Sequence, residues 1–209
     1  MVRIVLLDLL VERAEFGHGG NLEALAPFAV SGQQIECLLL TPQMQAPGAR
    51  TDGCVALTEV DVPRWDEDYP FWTEKIEQLP EGSVRLHRIC MPTTSTFAEL
   101  SVDAIICSGS RRNVSMWEPW MDGCADLLRW GVEQDIPTLG ICFGHQLLAT
   151  ALGGEVTRDE RYTDVVSDLE HHASDPVTGT CNVGLFTHQD HVTTLPSGVT
   201  HLASAHHCG

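Results

Sequence analysis

The chain has 209 residues, 43% of them hydrophobic and 20% charged, a composition typical of a folded protein with one substantial core. Its formal net charge is −17, and Lys75 is the single lysine among 12 basic residues. No basic stripe is present, so nucleic-acid binding through phosphate neutralisation is not expected. No stretch reaches the roughly 18 apolar residues that span a membrane, so a membrane role is not expected either.

The N-terminal segment and the cysteines indicate the compartment. Residues 2–7 are apolar but are followed by Asp8, which is more typical of a first buried strand than of a signal peptide. Eight cysteines occur, none of them in a C-x-x-C pair. We therefore expect reduced thiols in a cytoplasmic protein, with neither a metal site nor a cofactor. The His206-His207-Cys208 cluster is interpreted as a frayed chain end, because a closed metal site normally needs four rigid ligands.

Strand and helix patterns alternate along the first 150 residues. Apolar runs predict strands at 2–7, 35–40, 84–89, 104–107 and 138–141, and helices at 21–29, about 118–133 and 146–152. Such alternation predicts an α/β fold with a mostly parallel sheet covered on both faces, in a single domain over residues 1–209. Short antiparallel strands are expected later, at 155–157, 165–166, 183–186 and 200–204.

Two further segments are interpreted structurally. The predicted helix at 118–133 carries an apolar stripe at three- and four-residue spacing, interpreted as core packing: Trp117, Trp120, Met121, Cys124, Leu127, Leu128 and Val132. Residues 41–83 are irregular, and the acidic part at 59–81 holds Trp65, Tyr69 and Trp72. We interpret this part as an elaborated connection over one sheet edge.

The run P-T-L-G-I-C-F-G-H-Q-L-L at residues 137–148 is the most informative part of the chain. It predicts a strand, a tight turn with Cys142 at its centre, and a helix. Gly140 and Gly144 stand two residues to either side of the cysteine, and glycine is the residue that tolerates close approach of neighbouring chain. A thiol presented at a helix N-terminus is favoured as thiolate. The pattern predicts that Cys142 is a nucleophile, although a buried and inert cysteine has the same local sequence.

Extended to G-I-C-F-G-H-Q, this run resembles the nucleophile elbow of the class I (triad-type) glutamine amidotransferases. The resemblance covers about residue 103 to the end, and more loosely the first hundred residues. It implies a flavodoxin-like fold in which Cys142 attacks the side-chain amide of glutamine. A cysteine thioester then forms, and ammonia passes to a synthase subunit or domain.

The same resemblance implies roles for the residues around Cys142. Backbone N–H groups of Gly109, in the loop after the strand at 104–107, and of Phe143 would form the oxyanion hole. Gln146 would help to bind the substrate. The backbone of the segment Thr187, His188 and Gln189 would hold the α-amino and α-carboxylate groups of glutamine. Around Gly109 the usual Gly-Gly-Pro pattern is replaced by S-G-S-R-R, where Arg111 and Arg112 are exposed loop arginines or guides for an anionic group.

The chain departs from the family pattern at its end. The resemblance implies a catalytic His-Pro-Glu triplet, a last strand and a C-terminal helix after the segment that matches residues 203–205, and no such triplet occurs. The fold is therefore expected to be C-terminally incomplete relative to the family, with uncovered apolar surface and marginal stability. The chain is then a truncated form of a longer enzyme, or a histidine already present acts as base, or the protein is a non-catalytic descendant. The available histidines are His188, His191, His201, His206 and His207.

Two alternative functions stay open on the same fold. One is hydrolysis of γ-glutamyl conjugates, which would show poor use of free glutamine. The other is an amidotransferase-like protein that binds or regulates a partner without catalysis. A related group of cysteine hydrolases, in which histidine directly follows the nucleophile, is disfavoured because Phe143 occupies that position.

Overall fold

The computed structural model describes residues 1–9, 24–26, 28, 32–42, 84–89, 91–174 and 181–206. The acidic segment 59–81 and the pair His207 and Cys208 lie outside these residues. Of the predicted helix at 21–29, residues 24–26 and 28 are described, and all four are helical.

A five-stranded parallel sheet forms the centre of the fold. Its strands are β1 (Val2–Leu7), β2 (Ile35–Leu40), β3 (Val84–Ile89), β4 (Ala104–Cys107) and β5 (Thr138–Gly140), in the order β3-β2-β1-β4-β5. The first four have the predicted bounds, and β5 ends one residue earlier than predicted. Leu6 of β1 pairs with Leu39 on one side and with Ile106 on the other, so the middle of the sheet is apolar in three neighbouring strands.

Both faces of this sheet are buried. Val5 and Leu7 belong to a core on the side of α1 (Trp120–Glu133) and α2 (Phe143–Ala151). Ile4 and Leu6 belong to a second core on the opposite side, which includes Leu25 of the helical residues. Since side chains alternate between the faces of a strand, an uninterrupted apolar run is what a strand covered on both sides requires. The predicted fold class, a mostly parallel sheet with helices on both faces, is confirmed.

The apolar stripe of α1 is confirmed in its centre and wrong at its ends. Met121, Cys124, Leu127 and Leu128 are fully buried. Trp117 precedes the helix and is 42% exposed, and Val132 is 39% exposed. A 3-10 helix at Thr94–Leu100, which the sequence did not predict, packs Phe97 against the half-buried Trp130 of α1.

The second sheet is antiparallel and differs from the prediction. Its strands are β6 (Glu155–His171), β7 (Val183–Thr194) and β8 (Ala203–Ala205), in the order β7-β6-β8. The predicted short strands at 155–157 and 165–166 are parts of the single strand β6. Most residues of β6 are exposed and eight of the 17 are charged, so its sequence carries no apolar pattern of a strand. Pairing with β7 stabilises the extended conformation instead. Within the described residues, no helix combines the length and the apolar character needed to cross a bilayer.

Two glycines inside α1 give a matched test of the packing between helix and sheet. A Cβ at Gly131 would lie 2.5 Å from Ile105 Cδ1 and 3.0 Å from Thr138 Oγ1, whereas a Cβ at Gly123 would make ordinary contacts at 3.5 Å with Met91. Alanine is favoured over glycine in a helix by about 1 kcal/mol. We expect Gly123→Ala to stabilise the protein by up to about 1 kcal/mol, and Gly131→Ala to destabilise it by about 1–3 kcal/mol through overpacking. Urea unfolding of both variants checks this, and equal effects at the two positions would contradict the close approach of α1 to the sheet.

Candidate active site

The site lies at the carboxyl ends of the parallel strands. From β1 the chain adds β2 and β3 on one side, and then crosses to add β4 and β5 on the other. Ligands of open α/β sheets bind outside the carboxyl ends of the strands, near the point where the strand order reverses. The loop after β4, which begins with Ser108 and Gly109, and the turn after β5, which holds Cys142, both leave this edge.

Cys142 occupies a strained turn between β5 and α2. Its φ is 52° and its ψ is −110°, a conformation that side-chain-bearing residues rarely adopt. The flanking glycines are required sterically, because a Cβ at Gly140 would lie 2.5 Å from the Gly144 carbonyl oxygen and one at Gly144 would overlap the Cys107 carbonyl. Phe143, which is buried and stacks on Trp120 at 5.8 Å, anchors the start of α2. The predicted elbow is thus present, and Cys142 itself is exposed.

Both residues that were predicted to supply oxyanion donors, Gly109 and Phe143, are neighbours of Cys142 in the structure. The backbone N–H of Phe143 hydrogen-bonds the Cys142 sulfur. A Cβ built on Gly109 would be 3.7 Å from the Cys142 Cβ, so the loop after β4 runs directly alongside the elbow. Ser108 fixes this loop, since its buried hydroxyl accepts from the Leu9 N–H at 2.8 Å and donates to the Gly109 carbonyl at 2.9 Å.

A cleft of about 660 Å³ opens at this position, with Cys142 in its wall. The residues predicted for the site all line it, together with a few that were not predicted: Gly109, Ser110, Arg111, Arg112, Asn113, Ile141, Cys142, Phe143, Gln146, Tyr162, Thr187, His188, Gln189 and Asp190. A second cavity of about 520 Å³ shares Cys142, Gln146 and His188 with the first, and it also contains His145 and His191. The structure therefore brings together residues from the loop after β4, the elbow and β7, which are far apart in the sequence.

Gln146 is oriented by the protein. Its side chain is buried, and its Nε2 donates a hydrogen bond of 2.6 Å to the Asp190 carbonyl. This bond uses one of the two Nε2 hydrogens and fixes the orientation of the amide, so that Oε1 is the acceptor that Gln146 can offer to a ligand. An acceptor at this position suits an ammonium group.

The β7 segment forms the opposite wall of the cleft. His188 Nδ1 lies 2.8 Å from the Asp190 carbonyl, and because a carbonyl only accepts, Nδ1 carries the proton. Gln189 is held by Arg158, whose Nη2 donates to its Oε1 at 2.7 Å, and its own Nε2 donates to the Asp159 carbonyl at 2.9 Å. These bonds fix the side chains of two of the three residues predicted to bind substrate.

Two titratable groups in the cavities have shifted pKa values. Although Cys142 is exposed to the cleft, the surrounding protein removes part of the water around its sulfur, and this desolvation raises the pKa of the thiol. The hydrogen bond from the Phe143 N–H opposes the shift without cancelling it. The pKa of Cys142 is thus shifted upward, whereas the sequence predicted that the helix N-terminus would favour the thiolate. Burial, and then the proximity of His188, lower the pKa of His145, so its imidazole is neutral at pH 7.

The raised pKa has a direct kinetic consequence. Because the thiolate is the form that reacts, we expect Cys142 to react with iodoacetamide at pH 7 more slowly than N-acetylcysteine does. Its rate should keep increasing with pH beyond the ordinary thiol value of 9.0. Mass spectrometry of the labelled peptide measures the rate, and Cys142→Ala supplies the background from other cysteines. A plateau of the rate below pH 8 would contradict the shift.

Two polar residues of the cleft, Asp190 and Tyr162, were given no role by the sequence reasoning. Asp190 is buried and its carboxylate accepts hydrogen bonds from Ser115, a contact between residues 75 positions apart. Tyr162 lines the cleft from β6, at an irregularity in the pairing with β7 between Arg158 and Thr163. The sequence signal for Asp190 was its position directly after Gln189, the last residue of the segment predicted to bind substrate. Among the described residues, no group of three or more histidine, cysteine or acidic side chains could hold a metal ion.

Known proteins resemble this chain in sequence. A glutamine-hydrolyzing GMP synthase subunit from Methanocaldococcus jannaschii is 32% identical over 150 residues, which are 62% of this chain and 75% of that protein. The protein of the same name from Halobacterium salinarum is 30% identical over 121 residues, 56% of this chain and 61% of its own length. A glutamine-hydrolyzing GMP synthase from Thermomicrobium roseum is 34% identical over 112 residues, and the match spans 20% of it. This chain therefore spans less than two thirds of the length of the last two relatives.

A solved structure and a family profile also match the chain. The crystal structure of a glutamine amidotransferase from Thermotoga maritima superposes with a TM-score of 0.56 at 17% identity, covering 98% of this chain and 67% of that one, and it shows the same fold. The profile of the family described as glutamine amidotransferase class-I matches residues 80–208, which contain the elbow, the loop after β4 and the β7 wall. The chain therefore belongs to the class I glutamine amidotransferase family.

Proposed function

We propose that this chain hydrolyses the side-chain amide of glutamine through Cys142. The sulfur forms a bond to the carboxamide carbon, and the N–H groups of Gly109 and Phe143 stabilise the negative charge on the carbonyl oxygen. The carbon–nitrogen bond then breaks, and the nitrogen leaves as ammonia after taking up the thiol proton. Water cleaves the resulting γ-glutamyl thioester, which gives glutamate and restores the thiol.

The observation that carries this proposal is the position of Cys142. An exposed thiol on a strained elbow faces a cleft whose other walls are Gly109, Gln146 and the β7 segment. Such strain persists where the surrounding structure enforces it, and it is concentrated at functional sites. In this proposal, Gln146 and the backbone of Thr187, His188 and Gln189 hold the α-ammonium and α-carboxylate groups of the amino acid.

We further propose that the released ammonia is delivered to a synthase subunit or domain in the cytoplasm. The support is that two of the relatives are named as one subunit of a glutamine-hydrolyzing GMP synthase, and a subunit is by definition part of an assembly. Glutamine is the nitrogen donor in this proposal. No nucleic-acid or membrane partner is proposed.

The direct test is glutamine turnover by the 209-residue chain. Glutamate and ammonia are measured in parallel, with L-glutamine as substrate and D-glutamine as the stereochemical control. Equimolar release of both products from L-glutamine alone is expected. Addition of iodoacetamide beforehand should abolish release, and glutamine should protect Cys142 from that alkylation. A chain that neither turns over glutamine nor is protected by it would refute the proposal.

One observation favours a second candidate, a domain that binds glutamine without turning it over. The pKa of Cys142 is raised, so the free enzyme holds mostly thiol at neutral pH and needs a proton acceptor to react. A binding domain would show protection of Cys142 by glutamine, but no release of glutamate and no thioester adduct by intact-protein mass spectrometry. The same experiment therefore separates the two candidates.

A further inference from the structure

Asp190 is a buried acidic residue at the centre of the β7 wall. Its side chain is 1% exposed, and both carboxylate oxygens accept hydrogen bonds from Ser115. The Ser115 N–H donates to Oδ2 at 2.7 Å and the Ser115 hydroxyl donates to Oδ1 at 2.8 Å. Ser115 belongs to the segment between Gly109 and α1, so this pair ties the loop that follows β4 to the hairpin of β6 and β7.

The main chain of the same residue orients two side chains of the cleft. The Asp190 carbonyl accepts from Gln146 Nε2 at 2.6 Å and from His188 Nδ1 at 2.8 Å. Asp190 thus connects three elements: the loop after β4 through its carboxylate, α2 through Gln146, and its own strand through His188. Any shift of Asp190 changes both the acceptor offered by Gln146 and the ring of His188.

The chemistry of burial makes this arrangement sensitive to substitution. A buried carboxylate is costly unless hydrogen bonds replace its hydration, and no arginine, lysine or histidine among the described residues forms an ion pair with Asp190. Ser115 provides its two side-chain partners, as charge-assisted hydrogen bonds, which are stronger than neutral ones. A second connection between the loop after β4 and the hairpin of β6 and β7 runs through Arg158, which donates to Met116 and to Gln189. These bonds are exposed to solvent and therefore weaker.

We propose that Asp190 is the positioning residue of the glutamine site, holding the loop after β4 against β7 and setting the orientation of Gln146 and His188. This inference rests on the proposed function, since it assigns the oriented groups to glutamine binding. Asp190 does not touch the reacting atoms in this assignment. It acts on affinity through the residues that it holds.

Isosteric and conservative variants test the inference. Asp190→Asn keeps the shape and the main-chain carbonyl, but it replaces one acceptor oxygen by an NH₂ group that faces a donor of Ser115. Ser115→Ala removes the hydroxyl donor. Ser115→Thr keeps both the N–H and the hydroxyl donor, and its added methyl group can be accommodated because residue 115 is exposed. The matched control is Asp126→Asn, whose carboxylate pairs with Arg129 on the exposed face of α1.

The readout is the L-glutamine concentration that halves the iodoacetamide labelling of Cys142. We expect Asp190→Asn and Ser115→Ala each to raise this concentration about tenfold, the scale of one lost charge-assisted hydrogen bond. The double variant should require no more glutamine than Asp190→Asn alone, because the two substitutions remove the same interaction. Ser115→Thr and Asp126→Asn should match the wild type. In NMR, Asp190→Asn should replace the single Nδ1-protonated tautomer of His188 by a mixture.

The outcomes separate the positioning role from the proposed function. If glutamine protects the wild type and Asp190→Asn equally, or if the effects of the single variants add in the double variant, the positioning role is overturned and the proposed function stands. If glutamine does not protect the wild type at all, the proposed function fails and this inference fails with it. A lower melting temperature of Asp190→Asn with unchanged protection would assign Asp190 to stability alone.

Discussion

We expect the replacement of Cys142 by alanine to abolish the proposed glutamine turnover and to leave the fold unchanged. Alanine has no atom that can form the thioester, so the expected loss in rate is at least roughly a thousandfold, as for the removal of other covalent nucleophiles. The melting temperature should stay close to that of the wild type, because alanine bears the same strain at a φ of 52° and Cys142 is exposed. Glutamate release and thermal unfolding measure the two halves of this prediction.

Two further substitutions give this result its controls. Cys142→Gly should also be inactive but should be more stable than wild type by about 1 kcal/mol, because glycine relieves the positive φ. Cys181→Ala removes another exposed thiol, which lies outside the cleft, and should keep full turnover. Turnover that survives in Cys142→Ala would show that a different group is the nucleophile. A less stable Cys142→Gly would show that the elbow is not strained.

Gly144→Ala is expected to prevent stable folding of the site. A Cβ at this position would overlap the carbonyl group of Cys107 and come within 2.9 Å of the Ser108 carbonyl oxygen. These are main-chain atoms of β4 and of the loop after it, so they cannot rotate away as a flexible side chain could. Relief requires that α2 move off the sheet, and the expected destabilisation exceeds about 3 kcal/mol. Urea unfolding monitored by tryptophan fluorescence gives the value.

The matched comparison for Gly144→Ala is Gly109→Ala. A Cβ at Gly109 would meet only the Cys142 Cβ at 3.7 Å and the Ile141 carbonyl oxygen at 3.9 Å, which are ordinary contacts. This variant should fold with a stability within about 0.5 kcal/mol of the wild type. A mild effect of Gly144→Ala, similar to that of Gly109→Ala, would contradict the close contact between the elbow and the loop after β4.

The strands of the central sheet could be predicted because the signal for each strand lies within its own residues. Val2–Leu7, Ile35–Leu40 and Ala104–Cys107 are apolar runs that fit a strand buried on both faces, and the structure has them with those bounds. By contrast, β6 is mostly exposed and carries charged residues, so its sequence has neither a continuous apolar run nor a clear alternation. Its length follows from antiparallel pairing with the next strand, β7, and not from a pattern in its own residues.

The site was predictable in part for a similar reason. Cys142, Gly140 and Gly144 stand close together in the sequence, so the spacing of the two glycines around the cysteine was enough to predict the tight turn. The engagement of Gln146 with the Asp190 carbonyl joins residues 44 positions apart, and the pairing of Asp190 with Ser115 joins residues 75 apart. Such contacts depend on how the hairpin lies against the sheet, which composition and periodicity do not specify.

The contact of Gly144 with the loop after β4 has an evolutionary consequence. Elbow and loop meet through main-chain atoms, so a substitution that displaces one of them displaces the other. The hairpin of β6 and β7 meets the same loop through the side chains of Asp190 and Arg158, which single mutations can exchange. Selection can therefore alter the wall that faces the ligand while the geometry around Cys142 is inherited unchanged.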